Sequence, residues 1–260
     1  MYLISRSAIA PVFAQPTLRT EQVTQLVLGE TGEVLENAGE WRRVRVHLDG
    51  YEGWVHAGYG VETTPEEAAR WREEAQGWST GASVRVGDQQ VRLPLRARVA
   101  FENGGLRLPD GRHGRLVEGA VPRAGENVAA ARGSAPERWA LANFAGTPYE
   151  WGGVTPWGVD CSGLVQTTYV ARGVVLPRDA RLQAGVGAAV ALQNARAGDL
   201  IFFRGEGGSA ITHVAFAGDA GTLIHSTVAC GGVLIESWLP GTRAAALRDR
   251  VEVVRRLEDR

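Results

Sequence analysis

The 260 residues predict an α+β chain, with small all-β barrels ahead of a unit that places helices first and an antiparallel sheet after. Three observations carry this. Thirty-four glycines and 11 prolines favour strands and turns over a helical bundle. Up to residue 131, strand-length runs cut by glycine turns recur, with one capped helix between them. From residue 132, helical spacing comes first and alternating apolar strands follow.

Residues 1–60 read as one barrel. Gln25–Leu28, Glu33–Leu35, Trp41–Val46 and Gly53–Val55 are short strands, separated by turns at Gly29-Glu30, Ala38-Gly39-Glu40 and Asp49-Gly50. Trp41, Tyr51 and Trp54 are expected in its core. Residues 61–81 form a helical connector. Thr64 is its cap, Pro65 sits at the first helical position, and Ala68, Trp71 and Ala75 fall on one face. Residues 82–131 return to strands at Val84–Val86, Val91–Val99 and Gly114–Val117, which reads as a second barrel without the tryptophans of the first. Its arginines are expected on solvent faces. Residues 132–260 begin with a helix at Pro136–Phe144, then a second helix after Cys161 and a helix-like stretch from Arg178 to Leu192. Strands follow at 199–203, 211–217, 222–226 and 233–236, with a final strand in Val251–Leu257.

Charge narrows the partners. The formal net charge is -1, and all 28 basic residues are arginine. No basic excess points to nucleic acid. No run reaches membrane-spanning length. No signal peptide opens the sequence, so the expected location is the cytoplasm, a reading that a chain shorn of its leader would share. Two cysteines make no disulfide scaffold, and neither has the neighbours of a zinc site, so no metal and no cofactor is expected.

Cys161 carries the chemistry. It opens a short apolar helix after Gly158-Val159-Asp160, and a helix's first turn favours thiolate over thiol. His213 lies in a strand, Ile211–Ala217, whose alternation lets it turn toward that helix. His225 lies on the next strand, Thr222–Ser226, across a Gly218–Gly221 turn, where it can orient the imidazole of His213. Nucleophile, base and orienter are the layout of a papain-like thiol hydrolase. Cys230 reads as a buried or pocket-edge thiol.

These segments resemble the NlpC/P60 family of cell-wall peptidases. The resemblance rests on Gly146-Thr147-Pro148-Tyr149-Glu150-Trp151-Gly152-Gly153, Asp160-Cys161-Ser162-Gly163-Leu164-Val165, Leu176-Pro177-Arg178-Asp179-Ala180 with Gln183, Gly198–Phe203, His213-Val214-Ala215 and Ile224-His225-Ser226. Residues 1–60 resemble the bacterial SH3-like domain through Trp41–Val46 and Gly50-Tyr51-Glu52-Gly53-Trp54-Val55. The resemblance implies Cys161 as nucleophile, His213 as base and His225 as the third polar residue. Tyr149 would flank the thiolate and, with the Cys161 N–H, help hold an oxyanion.

The implied substrate is a cell-wall peptide cut between γ-linked D-glutamate and an L-diamino acid. In a cytoplasmic enzyme it would be a short peptide, L-Ala-γ-D-Glu-diamino acid, met in wall recycling. Asp160 and Ser162 would then touch its free amine. An SH3-like domain closing the cleft would bring Glu52 to that amine, with Tyr51 and Trp151 as further binding residues. No obligate protein partner is expected. Two other readings remain open at this point: an amidase or acyltransferase acting on intact wall or other amides, and an inert module that only binds wall peptide.

Overall fold

The computed structural model describes residues 1–257, and the chain divides into two compact units, Met1–Val128 and the unit from Ala129 onward. In the first unit, β1 (Tyr2–Ser5), β2 (Ile9–Phe13), β3 (Gln22–Val27), β4 (Thr31–Ala38), β5 (Trp41–Val46), β6 (Glu52–His56) and β7 (Gly60–Thr63) form one sheet ordered β3-β2-β6-β5-β4-β1-β7. Alternation sets the faces: in β5, Val44 and Val46 are buried while Arg43 and Arg45 point outward. The core collects Leu3, Ala10, Val12, Leu26, Val44, Val46 and Val55, with Tyr51 packed at its margin. Trp41 departs from expectation. It is half-buried in an edge-on aromatic row with Phe13 and His56, at centroid distances of 5.7 and 5.4 Å.

Helix α1 (Pro65–Glu74) begins at Thr64, whose hydroxyl accepts from the Glu67 N–H while Glu67 reaches back to the Thr64 N–H. Ala68, Trp71 and Ala75 are buried, and the Trp71 indole donates to the Gly29 carbonyl at 2.8 Å. Gly29 has φ +83, and a Cβ there would lie 2.2 Å from the Arg98 carbonyl, so both backbone and space demand glycine. Strands β8 (Gly77–Val86), β9 (Gln89–Glu102), β10 (Gly105–Arg107) and β11 (His113–Glu118) close into a barrel ordered β10-β11-β8-β9, with β8 starting inside the stretch read as connector. Its arginines are not all on solvent faces. Arg85 and Arg92 are exposed, but Arg96 is buried against Glu30, Nε to Oε1 at 2.6 Å. Alternation fails there because the β8–β9 register shifts between Leu95 and Arg98, with Arg96 at φ +82, and the Glu30 carboxylate compensates the buried charge.

The second unit follows α2 (Ala124–Arg132), which runs across the boundary. It holds α3 (Pro136–Phe144), the short pair β12 (Val154–Thr155) and β13 (Gly158–Val159), α4 (Cys161–Ala171), α5 (Ala180–Gln183), and a six-stranded sheet. The sheet runs β14 (Ala188–Val190), β19 (Val251–Arg256), β15 (Leu200–Arg204), β16 (Ile211–Ala217), β17 (Thr222–Thr227), β18 (Gly232–Ser237), with every neighbouring pair antiparallel.

Strand β15 is central, and its unbroken apolar run Leu200–Phe203 is buried on both faces. One face joins Ile201, Phe203, Ala215, Ala217, Leu223 and Val254 to Trp238 and to Ala244 of the 3-10 segment Arg243–Arg250. The other meets α4, where Tyr169 stacks on Phe216 at 6.3 Å. Every residue of α4 is buried, as a helix enclosed on all sides requires. The stretch 178–192 is not one helix. Gly185 and Gly187 follow α5, Gly187 at φ +86 with the Arg256 carbonyl 2.6 Å from where its Cβ would be, and the chain turns into edge strand β14. Among the described residues, no helix is long and apolar enough to cross a membrane.

Candidate active site

The start of α4 is locked before the thiol is considered. Asp160 caps the helix with extended backbone, and the Gly163 N–H donates to its Oδ1 at 2.7 Å. Its Oδ2 accepts from the Gly152 N–H at 2.8 Å. Arg178 then closes a buried fork, with Nη2 to Oδ2 at 2.5 Å and Nη1 to Oδ1 at 3.1 Å, and it also donates to Ser162 Oγ at 2.8 Å. Gly163 must be glycine, because a Cβ would meet the Gly153 carbonyl at 2.1 Å. The Gly152-Gly153 turn and the Asp160-Cys161-Ser162-Gly163 segment are therefore one packed object.

Cys161 is 7% exposed, and burial pushes its thiol up to about 12, with Asp160 adding to the rise. The Val214 and Ser162 backbone N–H groups and Arg178 pull the other way and are outweighed. The expectation of a thiolate at rest is corrected here: the helix start contributes, but desolvation dominates. His213 is moved in the complementary sense. Burial, helped by His225 and Arg243, pushes it down to about 3. The resting pair is a thiol and a neutral imidazole.

His213 Nε2 and His225 Nδ1 are 2.8 Å apart, and the Phe203 ring lies 5.7 Å from the His213 ring. The register explains the histidine pair. Ala217 faces Leu223, so continuing the ladder sets His225 across from Ala215, diagonal to His213 on the same face. That face is not the one turned to α4, which belongs to Phe216. The thiol instead meets β16 at the Val214 backbone, one residue from His213. The paired part of β16 and β17 is confined to Phe216 and Ala217, so the strands separate beside His213.

Tyr149 is half-buried, and burial with Cys161 and Asp160 nearby raises its phenol above the usual tyrosine range, leaving an O–H donor. Its backbone N–H donates to Gly231 O at 2.9 Å. Ser162 is buried and its hydroxyl donates to Asp160 Oδ1 at 3.2 Å. Trp151 is 56% exposed. Cys230 is exposed rather than buried and sits against the Arg243 guanidinium; both cysteines are free. Glu52 and Tyr51 belong to the first unit. There Glu52 takes Arg43 Nη2 and Arg45 Nη2 at 2.9 Å each, and these pairs hold its carboxyl below the usual range.

Sequence reasoning missed Arg178 as the partner of Asp160, and Glu236 and Arg243 behind His225. His225 Nε2 lies 3.2 Å from Glu236 Oε2, and Arg243 grips both oxygens of Glu236, its Nε at 2.7 Å from Oε1. Pairing of β17 with β18 puts His225 opposite Leu234 and Leu223 opposite Glu236, so the strand alternation held the signal.

The sequence matches the NlpC/P60 family profile over residues 146–243. It is 32% identical over 225 residues to a γ-D-glutamyl-L-lysine dipeptidyl-peptidase of Bacillus subtilis (strain 168), covering 78% of this chain and 71% of that protein. The chain belongs to the NlpC/P60 family. It is a cysteine peptidase of that family, acting on peptides related to peptidoglycan. The NlpC/P60 unit is preceded by a match to the bacterial dipeptidyl-peptidase Sh3 domain at residues 12–58. A Bacillus cereus protein of the same name as the B. subtilis relative is 29% identical over 236 residues, 78% of this chain and 66% of its own. An NlpC/P60 family protein of B. cereus ATCC 10987 shares the fold, with a TM-score of 0.78 at 23% identity over 98% of this chain and 99% of that one.

Proposed function

We propose that this NlpC/P60 peptidase hydrolyses the amide between γ-linked D-glutamate and an L-diamino acid in short wall peptides with a free N-terminal L-alanine, in cytoplasmic recycling. The observation that carries the reading is the joint presence of the dipeptidyl-peptidase Sh3 match and the catalytic unit in one chain, as in relatives named for γ-D-glutamyl-L-lysine dipeptidyl-peptidase activity. A dipeptidyl-peptidase counts two residues from a free amino end, which is the selectivity proposed.

The chemistry starts from a neutral pair. Cys161 Sγ adds to the carbonyl as its proton passes to His213, and the oxyanion is held by the Cys161 N–H and the Tyr149 O–H. The imidazolium gives its proton to the leaving amine as the C–N bond breaks. Water, deprotonated by His213, then splits the thioester and regenerates the thiol. His225 orients the base throughout.

Asp160 and Ser162 are the proposed partners of the substrate amine, with Trp151 as a further binding residue. The Asp160 carboxylate already carries Arg178, so acetylating the amine does not leave it unpaired, and the expected loss in kcat/KM is about 10–10²-fold, below what an orphaned buried charge would give. The test compares L-Ala-γ-D-Glu-diaminopimelate with its N-acetyl form, with products read by mass spectrometry. Equal rates, or release of peptide from intact sacculi at comparable rates, would instead indicate an open cleft acting on the wall.

A further inference from the structure

Behind His225 stand two groups that the reaction as described does not use. We propose that Glu236 and Arg243 are positioning residues that fix the tautomers of both histidines, so that the free lone pair of His213 is kept on Nδ1 for the thiol proton. This rests on Cys161 and His213 being the nucleophile and base.

The argument follows the protons. A carboxylate only accepts hydrogen bonds. With Glu236 Oε2 at 3.2 Å, His225 places its proton on Nε2 and leaves Nδ1 bare. That bare nitrogen, 2.8 Å from His213 Nε2, draws the proton of His213 to Nε2. His213 Nδ1 is then the unprotonated nitrogen. Reverse any link and the base holds a proton where it needs a lone pair. Arg243 keeps Glu236 in place through both oxygens and opposes its charge, so that Glu236 accepts the His225 proton as a bond without drawing a second proton onto the ring.

The groups facing the two imidazoles can be named. They are each other, Glu236 from β18, and Arg243 from the 3-10 segment with Cys230 against it; on α4, Cys161, with Asp160 and Arg178 as its charged neighbours, meets the Val214 backbone beside His213. Burial pushes His225 below its ordinary value, Glu236 raises it and Arg243 lowers it. The two charges therefore act with opposite sign on the same ring.

The test uses the full chain and two readouts: iodoacetamide alkylation of Cys161, resolved from Cys230 by peptide mass spectrometry, and kcat/KM on the peptide, both from pH 2 to 9. Glu236→Gln can donate as well as accept, so the expected plateau falls about tenfold and the acid limb moves down by about one pH unit. Arg243→Gln moves that limb up by a similar amount. The Arg243 side chain is 48% exposed, so this variant keeps the test available if Glu236→Gln fails to fold. Limbs that stay in place, or move the same way in both variants, overturn the inference. An alkylation profile unchanged by His213→Ala would instead overturn the underlying assignment of the base.

Discussion

Replacing Arg178 by methionine probes what holds the nucleophile's helix in place. The side chains of Arg178 and Asp160 are 2% and 8% exposed. Removing the guanidinium leaves the Asp160 carboxylate buried with only the Gly152 and Gly163 N–H groups and the Ser162 hydroxyl. Breaking a buried pair from one side costs about 3–5 kcal/mol, and the three remaining donors place this case near 3 kcal/mol. For a unit of this size, each kcal/mol shifts melting by about 3–4 °C, so Tm for the unit from Ala129 onward is expected to fall by ~10 °C. Asp160→Asn keeps a good helix cap while removing the charge. The double variant should therefore recover part of the loss, with a coupling of at least about 1.5 kcal/mol. Thermal unfolding of the four proteins by circular dichroism decides it. A methionine variant melting within about 2 °C of the parent, or strict additivity in the cycle, would refute the claim that this pair anchors the site.

Other outcomes follow from the same geometry. Cys161→Ala should lose at least about three orders of magnitude in turnover with an unchanged circular dichroism spectrum, since the covalent step needs the thiol; near-parental hydrolysis would remove Cys161 from the mechanism. His213→Ala should be worse than His225→Ala in steady-state kinetics, with His225→Gln partly restoring rate; the reverse ranking would exchange their roles. Because His213 is held near 3 in the folded protein against 6.5 when unfolded, the unfolded state binds more protons below pH 6.5. Its contribution to stability is complete above that value and is lost as pH falls toward 3, about 1 kcal/mol between pH 6.5 and 5 for a half-buried ring. Urea unfolding of His213→Asn should show a flatter acid slope, and an identical slope would contradict the neutral resting imidazole.

How much of this could be read from the chain depended on distance along it. The Cys161 helix, its Asp160 start and the two-histidine hairpin are set by neighbours within a few residues, so spacing and alternation reveal them. Arg178, Glu236 and Arg243 act through side chains reaching across segments, and Arg96 is turned inward at a register shift in β9 and meets Glu30 there. No local pattern reports such a partner. The thiol's resting state is hidden from the sequence for a related reason. The helix start is visible in sequence, whereas the enclosure that outweighs it exists only after packing. The stretch 178–192 carried apolar residues at helical spacing, but Gly187 pressed against Arg256 diverts it to a sheet edge.

Central strand β15 is paired on one side with β16 and on the other with β19, Val251–Arg256. During synthesis the thiol at position 161 leaves the ribosome well before its base, and the sheet that supports the base lacks one flank until residues 251–256 emerge. The loop with Tyr149 is tied to Gly231 and Val233, so it also waits for late-made residues. Long-range pairings of this kind form slowly, after their chain entropy has been overcome. A ribosome-bound chain that has emerged only as far as α4 thus displays its cysteine without the means to use it, and the capacity to cut peptide bonds arrives with β15–β19.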